Sequence, residues 1–383
     1  MNNLERFKAV ARFDATDYTP IFGFPGAPGM SRGCMKFTRD RLFATGMPES
    51  VGGTGIRTDV GSWYQYWGTT GPIVLDFSIA RGAPGIKSTK RIENGFEIIE
   101  SEAGAITRQV LDNNQTYSMP DFVRYPVRDR ESWELYKRLT TPTDIMPADE
   151  MEAHCRRFDN RDMPLTIGAG STYGRIRSLM GVEAASMALY DDPELIQDMI
   201  SVQRERFKVY VAPLIERLQP EIVTAWEDIG YNVGLLISPE HFRQFCTPFY
   251  RDVAEVNASA GVTVAAVDSD GCAMELVPLI AECGFNALCP FEAKGGNDLP
   301  ALREEYPEFI FFGWLEKEVV NEGNENLIEQ EVMGKVPGLL ERGRYFPNGD
   351  HGIQPLVTFP NLCKFMTLLH EVCGNPEGDF PRC

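Results

Sequence analysis

Val262–Glu292 reads VTVAAVDSDGCAMELVPLIAECGFNALCPFE and holds one complete structural unit: strand, acidic turn, helix, second strand and a terminal carboxylate. Val262–Val267 is a continuous apolar run rich in Val and Ala, the pattern of a strand covered on both faces in a parallel sheet. Asp268 and Asp270 stand where that run ends. Met274, Leu276, Val277, Leu279 and Ile280 follow near helical spacing, and Gly284 marks the stop. Phe285–Cys289 is then a new strand that delivers Glu292.

The unit recurs through 161–383. Strands are predicted at Pro164–Ala169, Glu221–Trp226, Phe309–Leu315 and Arg344–Phe346, and helices at Arg175–Ala188, Pro193–Leu218, Pro239–Ala260, Asp298–Tyr306, Leu327–Arg342 and Leu362–Val372. Sustained alternation of strand and helix implies parallel βαβ units, so the fold class is α/β, and an undivided chain of this length suits one large α/β barrel. Ahead of it, 1–160 reads as an N-terminal extension of the same single domain. Leu4–Arg12 is a short amphipathic helix, and Ile21–Phe24 a strand ended by the glycine and proline cluster Gly23–Gly29. Ser88–Val110 alternates apolar and polar residues with turn signals at Asn94-Gly95 and Ala103-Gly104, which predicts a β-hairpin or three-stranded meander capping the barrel or one of its ends. Arg128–Leu139 reads as a surface helix. The aromatic cluster Trp63, Tyr64, Tyr66 and Trp67 has core or interface as its plainer reading, and a ligand pocket as the functional one.

With 383 residues the chain can bury a large core, and no Ser/Gly or Pro-rich linker divides it. A formal net charge of −18 and a pI near 4.8 oppose binding to nucleic acid or an anionic membrane. Met1–Arg12 has no apolar signal segment and no run reaches transmembrane length, so a cytoplasmic protein is expected. The nine cysteines are odd in number and lack any C-x-x-C pair, which fits reduced thiols better than a disulfide framework. Ile167–Arg175, IGAGSTYGR, has the wrong glycine spacing for a dinucleotide loop, and no Walker loop, nucleophile elbow or HExxH is present.

Several predicted strands end in ionisable residues: Glu227-Asp228, Asp268 with Asp270, Glu292, Glu316, and Asp350-His351. A closed parallel barrel turns all these ends to one mouth. Singly, each acid could as well cap the next helix; five strand ends together favour a site. Of the four histidines, at 154, 241, 351 and 370, only His351 lies at a strand end. There it could serve as an acid/base group, as a metal ligand with the carboxylates, or simply brace its own loop.

Arg6–Pro20 (RFKAVARFDATDYTP), Ser238–Phe242 (SPEHF), Val267–Gly271 (VDSDG) and Pro347–Pro355 (PNGDHGIQP) together resemble the uroporphyrinogen decarboxylase superfamily, over nearly the whole chain. The resemblance implies a distorted (β/α)8 TIM-type barrel with its active site at the carboxyl ends of the strands. The decarboxylase proper carries an Arg-Gln-Ala-Gly-Arg loop where this chain has Phe24–Gly33, FPGAPGMSRG. The corrinoid-dependent methyltransferase branch holds zinc with His-x-Cys-Gly and a later Cys. Here Asp268 and Asp270 stand for the first motif and His351 for the second. The chain is similar to the O-demethylase methyltransferases, which pass the methyl of a methoxyarene to a cobalt(I) corrinoid protein. A Glu-Glu-His zinc pattern proposed for some of these is resembled by Glu316, Glu331 and His351, with a shorter second gap.

The resemblance thus implies a zinc ion as Lewis acid with Glu227, Asp270, Glu316 and His351 as ligands, and catalytic roles for Asp268, Asp270, His351 and the proton donor Tyr173. It implies a substrate pocket from Trp63, Tyr66, Trp226, Glu292 and Trp314, a small methoxylated substrate, and a corrinoid carried by a partner protein. A cofactor-free decarboxylase of the same fold, and a non-catalytic binding module, are the alternatives.

Overall fold

Seven strands pair in chain order, every pairing parallel: β1 (Ile73–Val74), β2 (Leu165–Gly170), β3 (Ile222–Trp226), β4 (Val264–Asp268), β5 (Ala287–Phe291), β6 (Ile310–Leu315) and β7 (Tyr345–Gly349). The computed structural model describes residues 1–26, 34, 36–51, 60–111, 120–376 and 378–382. The sheet curls into a TIM-type barrel with helices outside it. Between β7 and β1 runs Ile21–Phe24, where a strand is predicted. Phe22 bridges Thr70 in parallel, while the side-chain amide of Asn348 on β7 donates to Phe22 O (3.3 Å) and Phe24 O (3.0 Å). A regular ladder is not formed because Gly23 sits at φ 120°, outside strand geometry. The Gly23–Gly29 and Phe24–Gly33 segments extend into 27–33, which lie outside the described residues.

Strand residues sort by parity, as pleating demands. Ile222, Val264, Ala266, Ala287, Cys289, Ile310, Phe312 and Phe346 form one cluster inside the barrel, and Val223, Ala225, Ala265, Val267, Leu288, Phe311 and Tyr345 join the larger core under the helices. The lumen cluster also contains Phe7, Val10 and Ala11 of α1 (Asn3–Arg12). Phe7 stacks on Phe346 with ring centroids 5.0 Å apart and meets Phe22 at 4.8 Å. Lys8 of α1 pairs with Glu221 at 2.9 Å, just before β3, so the helix plugs the end of the barrel where strands begin. A reciprocal capping box between Asn2 and Glu5 starts it. The first helix of the expected extension is therefore part of the barrel core.

The meander is realised as four antiparallel strands, Ser88–Glu93, Phe96–Ser101, Ile106–Val110 and Asp121–Arg124. Asn94 (φ 51°) and Gly95 (φ 82°) make the tight turn the dipeptide predicts. The fourth strand lies beyond 112–119, too far along the chain for hairpin spacing to reveal it. Tyr125 and Val127, which follow it, pack on Gly181 and bond Leu179 O. The predicted surface helix is Arg130–Thr140, and its Trp133 and Tyr136 are buried rather than exposed. Two long predicted helices are each interrupted by a π turn, at Phe207–Val211 and Phe242–Cys246, just ahead of Pro213 and Pro248, which cannot donate a backbone bond. No helix among the described residues is long and apolar enough to cross a membrane.

Candidate active site at the carboxyl ends of the strands

The loops after β3 and β4 are stitched together by backbone groups, and this gathers three carboxylates. Glu227 N–H and Asp228 N–H donate to Asp268 O (2.8 and 3.2 Å). Ile229 N–H and Gly230 N–H donate to the buried Ser269 Oγ (3.0 and 3.1 Å). A Cβ at Gly230 would lie 2.3 Å from Asp270 O, so only glycine allows this approach. Asp268, at the end of β4, has the parity of the lumen residues Val264 and Ala266 and faces the mouth. Its carboxyl makes no hydrogen bond or ion pair among the described residues. Burial, then the neighbouring Asp270 and Asp228 carboxylates, push its pKa up to about 7, against the opposing pull of His351.

The neighbours settle into different states. Asp228, itself at φ 48°, pairs with Arg177 of α2 (Tyr173–Met180), and burial with the Asp270 charge raises its pKa. The Arg177 guanidinium lies 5.6 Å from the ring centre of Trp226, which is 39 % exposed at the same mouth. Asp270 meets His351 Nε2 at 3.3 Å. Burial alone would raise Asp270, but the His351 hydrogen bond and charge hold it below the usual carboxylate range. The same bond raises the His351 pKa over the opposing effect of burial. Gly352 N–H donates to His351 Nδ1 (2.8 Å), which assigns the neutral imidazole its proton on Nε2, toward Asp270.

Across the mouth, Lys317 reaches Glu292 (3.4 Å) and Asp350 (3.7 Å). Burial would lower its ammonium, yet Asp350, Glu318 and Glu292 raise it on balance. The buried Asp350 accepts Ala293 N–H (2.8 Å) and Lys317 N–H (3.2 Å), and burial pushes its pKa up. Asn297 binds Gly271 O and Glu292 O through its amide (both 2.9 Å) and accepts Ala273 N–H (2.7 Å), fixing the loop that carries Asp270 against the loop after β5. Arg177, Lys317 and Asn297 were not anticipated. Lys317 adjoins the predicted Glu316 and could have been suspected; Arg177 lies mid-helix and Asn297 within a loop, and neither carries a local signal.

The structure brings together Asp268, Asp270, His351, Trp226 and Glu292. Other expected residues go elsewhere. Glu227 is fully buried and accepts Thr172 N–H (2.7 Å), Thr172 Oγ1–H (2.6 Å) and Gly174 N–H (2.7 Å), anchoring the start of α2; burial raises its pKa. Glu316 pairs with Lys294 at 2.7 Å, and Glu331 accepts Glu316 N–H (2.7 Å) and pairs with Lys335. Among the described residues no three His, Cys, Asp or Glu side chains are grouped to hold a metal ion. Asp270 and His351 alone are paired, and both imidazole nitrogens are engaged, so the residues as placed do not fit the four-ligand zinc site expected.

The Tyr173 hydroxyl bonds Ser186 Oγ (2.9 Å), and burial raises its pKa; it meets no mouth carboxylate. Trp63 is wholly buried against Phe24 (4.4 Å), and Tyr66 packs edge-on to Trp67 (5.3 Å), so both serve packing. Parity would aim Trp314 into the lumen, but Gly313 (φ 85°) and Trp314 itself (φ 78°) turn it outward. Its indole N–H donates to Asn297 O (3.0 Å), and the Lys335 ammonium, on the outer helix Ile328–Glu341, lies 4.6 Å from the ring centre. A bulky residue at positive φ is strained, and the strain sits at the rim of the site.

Residues 114–372 match the family described as uroporphyrinogen decarboxylase (URO-D). No curated protein is similar enough in sequence to match. Among solved structures, a methyltransferase from Methanosarcina mazei shares the fold, with 15% identity, a TM-score of 0.56, and 97% of this chain and 98% of that chain covered. The family match spans most of the chain and agrees with the barrel and its mouth: this chain belongs to the uroporphyrinogen decarboxylase family.

Proposed function

We propose that the chain is a methyltransferase that demethylates a small methoxylated, aromatic compound and passes the methyl to a corrinoid protein. The observation that carries this reading is Asp268: a lumen-facing, half-buried carboxyl without a partner of its own, set between Asp228 and the Asp270–His351 pair. The partner's cobalt(I) corrinoid would supply the nucleophile. As the methyl–oxygen bond breaks, its electron pair stays on the ether oxygen, which leaves as a phenolate and needs a proton. Asp268 holds that proton near neutrality, and Asp270 and His351 can return one from solvent. Trp226 offers an aromatic face beside them.

The same arrangement disfavours a decarboxylase. A substrate carboxylate would need a free cation, whereas Arg177 is paired with Asp228, and Lys317 with Glu292 and Asp350. The fold shared with a methyltransferase adds support. The test is to incubate the protein with a panel of methoxyarenes and a reduced corrinoid protein and to measure the demethylated phenol by chromatography. Product that depends on both proteins is expected, and none across the panel would overturn the reading.

A further inference from the structure

A cavity of about 370 Å³ lies next to the hairpin that follows β3 and shares no charged residue with the mouth. One wall is the last turn of the helix Val182–Asp191, another the hairpin in which Gly230–Tyr231 pairs with Gly234–Leu235, and a third the chain around Glu275 after β4. Leu189, Leu235 and Ile237 give it an apolar lining. Two aromatic rings meet there: Tyr190 and His241 stand nearly perpendicular, at 82°, with centroids 4.6 Å apart. Tyr190 remains 72 % exposed, so part of its ring is open to a ligand. Glu275 supplies the charge. Its carboxylate lies against the hairpin, with Oε2 3.8 Å from where a Cβ on Gly234 would sit, and it makes no hydrogen bond or ion pair among the described residues. No Lys or Arg lines the cavity. The helix that starts at Pro239 turns its first residues this way, yet Pro239 has no N–H and Ser238 Oγ accepts that of His241 (3.1 Å), so little remains to attract an anion. The helix Val182–Asp191 presents its carbonyl end instead, which favours positive charge.

An open aromatic face, a carboxylate without a counter-ion and apolar walls together receive an alkylated ammonium group better than any anion or metal ion. We propose that this cavity is a second binding site, for a small quaternary or alkylated ammonium compound. The charged centre sits between Glu275 and the Tyr190 ring, and the alkyl groups rest on Leu189, Leu235 and Ile237. The site is separate from the methyl-transfer mouth and does not depend on that reading.

Choline and 3,3-dimethyl-1-butanol, its uncharged carbon analogue, have the same shape and differ in the charged centre. Binding of each to the full chain is measured by calorimetry at low salt. Choline is expected to bind at least about ten-fold more tightly than the alcohol. Glu275→Gln, which keeps the shape of the side chain, should weaken choline about five-fold and leave the alcohol little changed. Tyr190→Ala should weaken choline by a similar factor, and Tyr190→Phe should keep the wild-type affinity. The two substituted residues lie on different elements, so a folding defect in one variant leaves the other to decide. Choline that binds no better than the alcohol, or does not bind at all, overturns the proposal. So does choline binding that neither Glu275→Gln nor Tyr190→Ala weakens, since it then occurs elsewhere on this acidic surface. None of these results bears on methyl transfer at the mouth.

Discussion

Replacing Asp268 with Asn removes the group on which the account rests, and the effect on stability follows from its surroundings. The side chain makes no hydrogen bond to lose, while its ionised form is opposed by burial and by Asp270 and Asp228. In the folded protein the pKa is about 7, against an ordinary 3.8. A raised folded pKa means that the proton stabilises the fold: the contribution is complete below about pH 4, is lost progressively as pH rises to about 7, and is constant beyond. At about 1.4 kcal/mol per unit the full difference approaches about 4 kcal/mol, and screening by water at the mouth reduces it to about 2 kcal/mol. Asp268→Asn should therefore match the wild type near pH 4 and exceed it by about 2 kcal/mol near pH 8. For a chain of this length that is a rise in Tm of about 2 to 3 °C, read by scanning calorimetry across the pH range. A variant less stable than wild type near pH 8, or a difference that does not vary with pH, would refute the reasoning.

Three further outcomes are expected. If Asp268 donates the proton, the turnover rate falls as pH rises through about 7, and the limb disappears in Asp268→Asn; a flat wild-type profile counts against the role. Phe7→Ala empties the plug beneath Phe22 and Phe346 and should cost about 3 to 5 kcal/mol in chemical denaturation, whereas a helix merely resting on the barrel would cost under about 1 kcal/mol. Glu227→Gln places an amide NH2 against Thr172 and Gly174 donors and should cost about 1 to 3 kcal/mol while leaving metal content unchanged; a loss of bound zinc would restore Glu227 as a ligand.

The barrel was legible because its signals are periodic and long. Val264–Val267 shows an unbroken buried run, and each subsequent strand follows a helix. Convergence of the strand ends followed from topology alone, which is why Asp268, Asp270, Glu292 and His351 were found together. What failed were inferences about side-chain direction. Trp314 was expected in the aromatic pocket, and two consecutive positive φ values turn it outward, a local property that apolar patterning does not encode. Glu227 follows a strand just as Asp268 does, yet the close approach of Gly174, whose Cβ would sit 2.3 Å from Glu227 O, seats the α2 terminus on its carboxylate. Trp63 and Tyr66 pack where their size alone suggested. Arg177 was missed because its role depends on a helix arriving beside the next strand's loop, a tertiary event.

The central claim, that this mouth releases a methyl group from an aryl ether and protonates the departing oxygen through Asp268, is tested most directly by following phenol release from one neutral methoxyarene with reduced corrinoid protein. Wild type and Asp268→Asn are compared at the same pH. The account predicts product from the wild type and a rate at least about a hundred-fold lower from the variant, with the ether still bound. No product from the wild type, or an undiminished rate in the variant, would contradict it.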